Sequence, residues 1–171
     1  MKKELILIFF IVLLYSCSSV RVIYDFDSTI NFSNYSSFAF SKQEVEKLDI
    51  SDIDKKRILS SIEESLVSKG YNFSSTPDLI VNISTKSRED IYINQYYDRF
   101  SFGWYGYPYD QTYRPSSRII GLLYIDIIDA KTGSLIWQGN GSGSLYSNKY
   151  SRDQLVSNFV IKVLESFPYK S

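Results

Sequence analysis

The stretch Ile119–Ile128 is apolar on both of its alternating faces except at Gly121 and Asp126. That pattern reads as the central strand of a sheet, and the remaining patterns fall around it. Val20, Val22, Tyr24 and Phe26 alternate with Arg21, Ile23, Asp25 and Asp27, the period of a strand with one buried face. A second, short strand is expected over Ser37–Phe40, after a turn that carries Asn31, Ser33 and Asn34. Leu79, Val81, Ile83 and Thr85 share one face of a third strand over Asp78–Lys86. The turn formers from Asp129 to Gly133 join the central strand by a hairpin to a fifth, beginning at Ser134–Gln138. Two helices complete the set. Ser51 is the N-cap of the first, with Asp54 as the returning acid of a capping box; Ile58, Leu59, Ile62 and Leu66 follow at helical spacing, and Gly70 stops it, for a span of about Asp52–Lys69. Ser151-Arg152-Asp153-Gln154 is a full capping box that opens the second, whose broad apolar face runs from Leu155 to Phe167, ahead of Pro168. The expected fold is α+β: one mainly antiparallel sheet of about five strands with two helices packed on one face, in the order ββαβββα.

The amino terminus speaks to location. Lys2 and Lys3 precede an unbroken apolar stretch from Leu5 to Tyr15, which is too short for a transmembrane helix of roughly 20 residues and has the layout of a secretory signal. The tetrapeptide Leu14-Tyr15-Ser16-Cys17 resembles the lipobox of bacterial lipoproteins, in which the signal is cut before the cysteine and the thiol is lipidated. This resemblance implies removal of residues 1–16 and a lipidated Cys17 with a short tether over 17–21; the length that remains suits a single domain, over 22–170. Two or more acyl chains make a firm membrane anchor where one is marginal. Ser18 follows the cysteine, where aspartate commonly signals inner-membrane retention, so the expected location is the outer membrane, facing the periplasm.

Composition narrows the chemistry. The chain has no histidine and one cysteine, which removes histidine-based triads, cysteine–histidine proteolysis and the commonest metal ligand. Nineteen basic residues balance nineteen acidic ones, so the surface lacks the positive charge that nucleic-acid binding requires. Asp25 and Asp27 project from one strand face but make an incomplete calcium site. Asp126 and Asp129 fall on opposite faces, and Asp129 suits the turn. Trp137, at period two from Leu135, belongs to the core, while Gly139–Ser144 lacks the lysine of a phosphate loop and reads as a flexible or bulged strand end. No catalytic residue, metal site or cofactor is expected.

The segment at about 92–117 is the unusual one. Between Tyr92 and Tyr113 stand ten aromatic residues broken by Gly103, Gly106 and Pro108, a composition that prevents a regular helix. Tyr97, Phe102, Trp104, Tyr105, Tyr107 and Tyr109 are candidate contacts to cell-wall glycan or an envelope protein, because rings beside hydroxyls stack on sugars and anchor interfaces. A loop folded over the sheet fits the same composition. The leading reading is a non-enzymatic binding or scaffolding domain. Its alternatives are a carboxylate-based hydrolase of cell-wall glycan using acids such as Glu89, Asp90, Asp98 or Asp110, and a purely structural envelope protein.

Three groups of residues, in order and spacing, resemble domain-of-unknown-function family 4136. They are Tyr24-Asp25-Phe26-Asp27 with Asn31 through Phe38, Lys69-Gly70-Tyr71 with Thr76-Pro77-Asp78-Leu79, and Asp129 through Thr132-Gly133 to Ile136-Trp137-Gln138-Gly139. The resemblance implies a bacterial envelope lipoprotein with an α+β domain, and transfers no active-site residue.

Overall fold

β5 (Tyr113–Asp129) is the axis of the fold, pairing antiparallel with β4 (Leu79–Gln95) on one edge and β6 (Leu135–Ser144) on the other. These elements belong to a computed structural model that describes residues 20–95, 113–144 and 150–170. β1 (Arg21–Phe26) lies antiparallel outside β6; β2 (Ser37–Phe40) lies outside β4, and the two-residue β3 (Asn72–Phe73) outside β2. The sheet order is β1-β6-β5-β4-β2-β3. α1 (Lys42–Glu46) and α2 (Asp52–Ser68) connect β2 to β3, and α3 (Arg152–Leu164) follows β6. The core lies between one sheet face and α2 and α3: Val81, Ile83, Ile125 and Ile127 from the strands meet Ile62, Leu66, Val160 and Val163 from the helices, all essentially inaccessible.

The central position of Ile119–Ile128 holds, yet its second apolar face is only half covered. Leu122, Tyr124 and Ile128 point away from the helices and are partly accessible, as an antiparallel sheet with one solvated side allows. The sheet departs from the expected one in being six-stranded and mixed, with three helices. β2 runs parallel to both β3 and β4 because α2 carries the chain back before the next strand begins, and a crossover of that kind makes parallel neighbours. β3 and α1 escaped periodicity because two and five residues are too few to show one. β4 and β5 also continue past the expected ends, pairing as far as Gln95 with Tyr113, so residues 92–95 and 113–117 are strand rather than loop.

What pins β2 to β4 is a single carboxylate. Asp78 Oδ2 accepts the backbone N–H and the hydroxyl of Ser36 at 2.8 Å each, and those of Ser37 at 3.0 and 2.9 Å. At the same end Tyr35 Oη donates to Asp129 Oδ2 at 2.9 Å, while Asp129 Oδ1 accepts the N–H groups of Lys131 and Thr132 and closes the β5–β6 turn. Gly133 completes that turn at φ +72°, and Gly70 ends α2 at φ +95° with the paired bonds Tyr71 N–H to Leu66 and Gly70 N–H to Val67.

β6 carries the other determinant. A bulge between Ile127 and Ile128 puts both Ile136 and Trp137 inside and leaves Leu135 half exposed, so Trp137 is core through the bulge and not through its period with Leu135. Beyond it, the glycines expected to loosen the strand end are paired and buried. A Cβ on Gly141 would stand 2.5 Å from Val163 and 2.6 Å from Phe159, and one on Gly139 would collide with Trp137, so the bare backbone is the seat on which α3 lies.

Two outcomes follow for stability. Gly141→Ala is expected to cost about 1–3 kcal/mol by lifting α3 from its seat, measured by urea unfolding; an unchanged midpoint would contradict the seat. The N–H and hydroxyl groups of Ser36 and Ser37 hold the Asp78 carboxyl below its usual range. Its contribution is therefore complete above the unfolded value of about 4 and fades as the pH falls through the lower folded value. Asp78→Ala is expected to lose about 2 kcal/mol near neutral pH, and the gap to the wild type should narrow in acid.

Candidate functional site

The first turns of α2 and α3 stand over a groove in the sheet of about 180 Å³. Strand register explains why it is there. Ser87, Gly121 and Gly143 lie side by side across β4, β5 and β6, so the row next to Thr85, Leu123 and Gly141 has nothing larger than a serine to fill it. Ile50 and Ile58 form one apolar wall; Leu155, Val156 and Phe159 form the other. Past this groove, among the described residues, β6 pairs as far as Ile120, and residues 113–119 of β5 pair with β4. Among the described residues, the groove thus sits at the foot of a two-stranded ribbon.

Its polar rim is an ion-pair cluster that ties the two helix starts together. Asp54 accepts Arg152 Nη2 at 2.7 Å and Arg57 Nη1 at 3.0 Å, and Arg57 Nε also reaches Asp153 at 3.2 Å. Ser51 caps α2 by accepting the Asp54 N–H, but the Asp54 side chain turns to the arginines instead of closing the expected box. In α3 the full box of Ser151 and Gln154 forms as expected. The hydrogen bond from Arg152 chiefly, with that from Arg57, holds the Asp54 carboxyl below its usual range despite partial burial. A carboxylate that stays ionised in this way is unsuited to act as a general acid.

Several other polar side chains among the described residues are engaged within the fold. Lys69, buried, donates to the Phe167 carbonyl at 2.7 Å and stands 4.1 Å from the Tyr169 ring centre; burial lowers its pKa. The nearby Ser65 and Ser68 hydroxyls donate to helix carbonyls, so no serine–lysine pair is formed there. Asp27 is engaged by Thr29 and Asp25 by the Phe26 N–H, while Asp126 accepts Gln138 and Asp129 holds its turn. Among the described residues no three metal-ligating side chains gather. Of the acids considered for glycan hydrolysis, Glu89 is exposed on the ribbon. The side chain of Asp90, and Asp98 and Asp110, lie outside the described residues, as do Cys17 and the aromatic residues Tyr97, Phe102, Trp104, Tyr105, Tyr107 and Tyr109.

The groove itself was not anticipated. Its one local signal is Gly121, a glycine inside an otherwise apolar run, which marks a place where a strand presents no side chain. Asp54→Asn is expected to lower stability near neutral pH by about 1 kcal/mol. Because Asp54 titrates below its unfolded value, that difference should shrink below about pH 4; thermal unfolding of both proteins across pH is the check, and a pH-independent difference would contradict the pairing.

No curated protein matches the chain. Among solved structures, a PDZ domain protein from Parabacteroides distasonis aligns with 95% of this chain at a TM-score of 0.53 and 16% identity, and the chain spans 39% of that protein. The PelC dodecamer from Paraburkholderia phytofirmans aligns with 89% of this chain and 99% of its own at a TM-score of 0.57 and 9% identity. At such identities these likenesses concern the fold. The segments that resemble family 4136 come together in the structure, in the Tyr35–Asp129 and Ser36–Ser37–Asp78 bonds at the end of the sheet away from the groove, in the Gly70 and Gly133 turns, and in the core residue Trp137. They hold the fold. The family described as "Domain of unknown function (DUF4136)" matches residues 22–169, and the chain belongs to that family.

Proposed function

We propose that this chain is a non-enzymatic binding or scaffolding lipoprotein of the bacterial cell envelope, anchored in the outer membrane through Cys17 and facing the periplasm. The partner is cell-wall glycan or an envelope protein, met by the aromatic segment with Trp104, Tyr105 and Tyr107 at its centre. The observation that carries this reading is the β4–β5 ribbon, whose pairing among the described residues continues beyond the end of β6 and which leads into that segment from both sides. An isolated two-stranded ribbon is marginal in water, so one that extends from a well-packed domain is suited to work against another surface. β1 begins opposite Ser142, so the chain enters the sheet at the end where β4 and β5 run on. The engagement of Asp54 by two arginines favours binding over carboxylate catalysis in the groove.

Metabolic labelling with palmitate tests the anchor: the protein should take up label, and Cys17→Ala should abolish it. Labelling that survives the substitution would overturn the anchor. Replacing Trp104, Tyr105 and Tyr107 together by alanine should reduce capture of peptidoglycan or envelope proteins by about tenfold or more, since buried aromatic anchors dominate interfaces. Unchanged capture by a folded variant would remove the segment's role.

A further inference from the structure

Among the described residues, no strand pairs with the outer edge of β1. The bond from Asp27 N–H to the Ile136 carbonyl, 3.0 Å, sets the alternation along β1: Asp25, Ile23 and Arg21 exchange backbone bonds with β6, and Val22 and Tyr24 turn their N–H and C=O groups outward. The next outward N–H, that of Phe26, is taken by Asp25 Oδ1 at 2.9 Å. The strand is also unusually apolar for an edge. Ile23 is 74% exposed on the face away from the helices; Tyr24 and Phe26 are about half exposed on the helix side, where β1 reaches past the cover of α3. Edge strands are ordinarily kept short, bulged or interrupted by proline, because an exposed flat edge pairs with another strand. β1 is six residues long, without proline or a bulge in its pairing to β6.

Its sequence is complementary to itself. We infer that β1 is the seat of a second copy of this chain, paired antiparallel through its own β1 about a two-fold axis at Ile23. In that register Val22 and Tyr24 exchange their outward backbone groups with Tyr24 and Val22 of the partner subunit. Arg21 stands opposite Asp25 of the partner subunit, and Asp25 opposite Arg21 of the partner subunit. Ile23 meets the partner's Ile23 between these two ion pairs, on the same face. The three odd-numbered positions are then the non-hydrogen-bonded pairs, in which facing side chains lie closest. A slip of one residue turns the wrong backbone groups toward each other. An axis at Tyr24 instead sets Ile23 against Asp25. The register at Ile23 therefore satisfies backbone, charge and apolar surface at once, and makes the sheet continuous across two copies. The contact is isologous and closed, the commonest form of homodimer. It also brings the two tethers close, because Arg21 of one copy and Arg21 of the partner subunit stand only four residues apart along the paired strands, about 14 Å.

Sedimentation of the full lipidated chain in density-matched detergent should show a dimer. Arg21→Asp should raise its dissociation constant about tenfold, since two attractive cross-strand pairs become repulsive; Arg21→Asp with Asp25→Arg should restore it. Ile23→Cys should yield a disulfide-linked dimer on mild oxidation, because facing Cα atoms of such a pair lie about 4.5 Å apart. Tyr24→Cys, whose two copies fall beyond about 7 Å, should not, and the unsubstituted chain controls for Cys17. A monomeric wild type would overturn the inference, as would a dimer indifferent to Arg21→Asp, failure of the charge swap to rescue, or equal crosslinking at positions 23 and 24.

Discussion

The Asp78 carboxylate is the constraint on which the arrangement of the sheet rests. β2 is four residues long and touches β4 over three register pairs, too little for backbone pairing alone to select its partner and direction. One oxygen that accepts from both N–H groups and both hydroxyls of Ser36 and Ser37 makes that choice where the strand begins. Hydrogen bonds to an ionised acceptor are roughly twice as strong as neutral ones, and four directed at one atom fix position as well as energy. The neighbouring Tyr35–Asp129 bond then ties the start of β2 to the turn that reverses the chain from β5 into β6. Three distant parts of the sequence are thereby locked at one end of the sheet, which leaves the other end free to depart from regular packing.

At that other end the side chains become small. Gly139 and Gly141 let α3 settle onto β6, with Phe159 and Val163 resting where side chains would otherwise stand. One row further, Ser87, Gly121 and Gly143 continue the same bare surface past the point where the helices begin, and the groove is the result. The Asp54–Arg152 pair spans its rim and joins the N-terminal turns of α2 and α3 across it. A pair of this kind adds little energy when exposed, but it fixes the separation of the helix starts. Closing the groove would need either a larger residue in the glycine row or a different meeting of the two helices.

Local signals were legible and long-range ones were not. The full capping box at Ser151 and the glycine stop at Gly70 depend on neighbours within a few residues, and both form as read. Asp54 looks like a local cap and is drawn instead to Arg152, ninety-eight residues away. Trp137 is core as read, but the bulge that turns it inward is set by its pairing with β5, which no period along β6 records. Gly139–Ser144 reads as loose because glycine lacks intrinsic strand preference; its order comes from α3, packed on top. The second apolar face of Ile119–Ile128 was the subtlest case, for apolar character reported position in the sheet and not coverage by a second layer. Of the candidate site, Gly121 was visible and its alignment with Ser87 and Gly143 was not, since register belongs to the paired strands together.

β1 joins these two ends of the molecule into one physical picture. It begins at the groove end and reaches, through the Asp27–Thr29 turn, the Asn31 cap of the 3₁₀ turn that leads to Tyr35 and the Asp78 cluster. Its inner edge is held by β6, whose glycines lie beneath α3, so the strand rests on a rigid support. Val22 packs against the core while Ile23 stands in solvent. A strand used only to close the sheet gains nothing from an exposed isoleucine between an arginine and an aspartate, and charges alone would protect the edge better. Placed at the centre of a self-complementary pairing, the same three residues each acquire a partner, and the outer edge of β1 becomes a surface with a defined register.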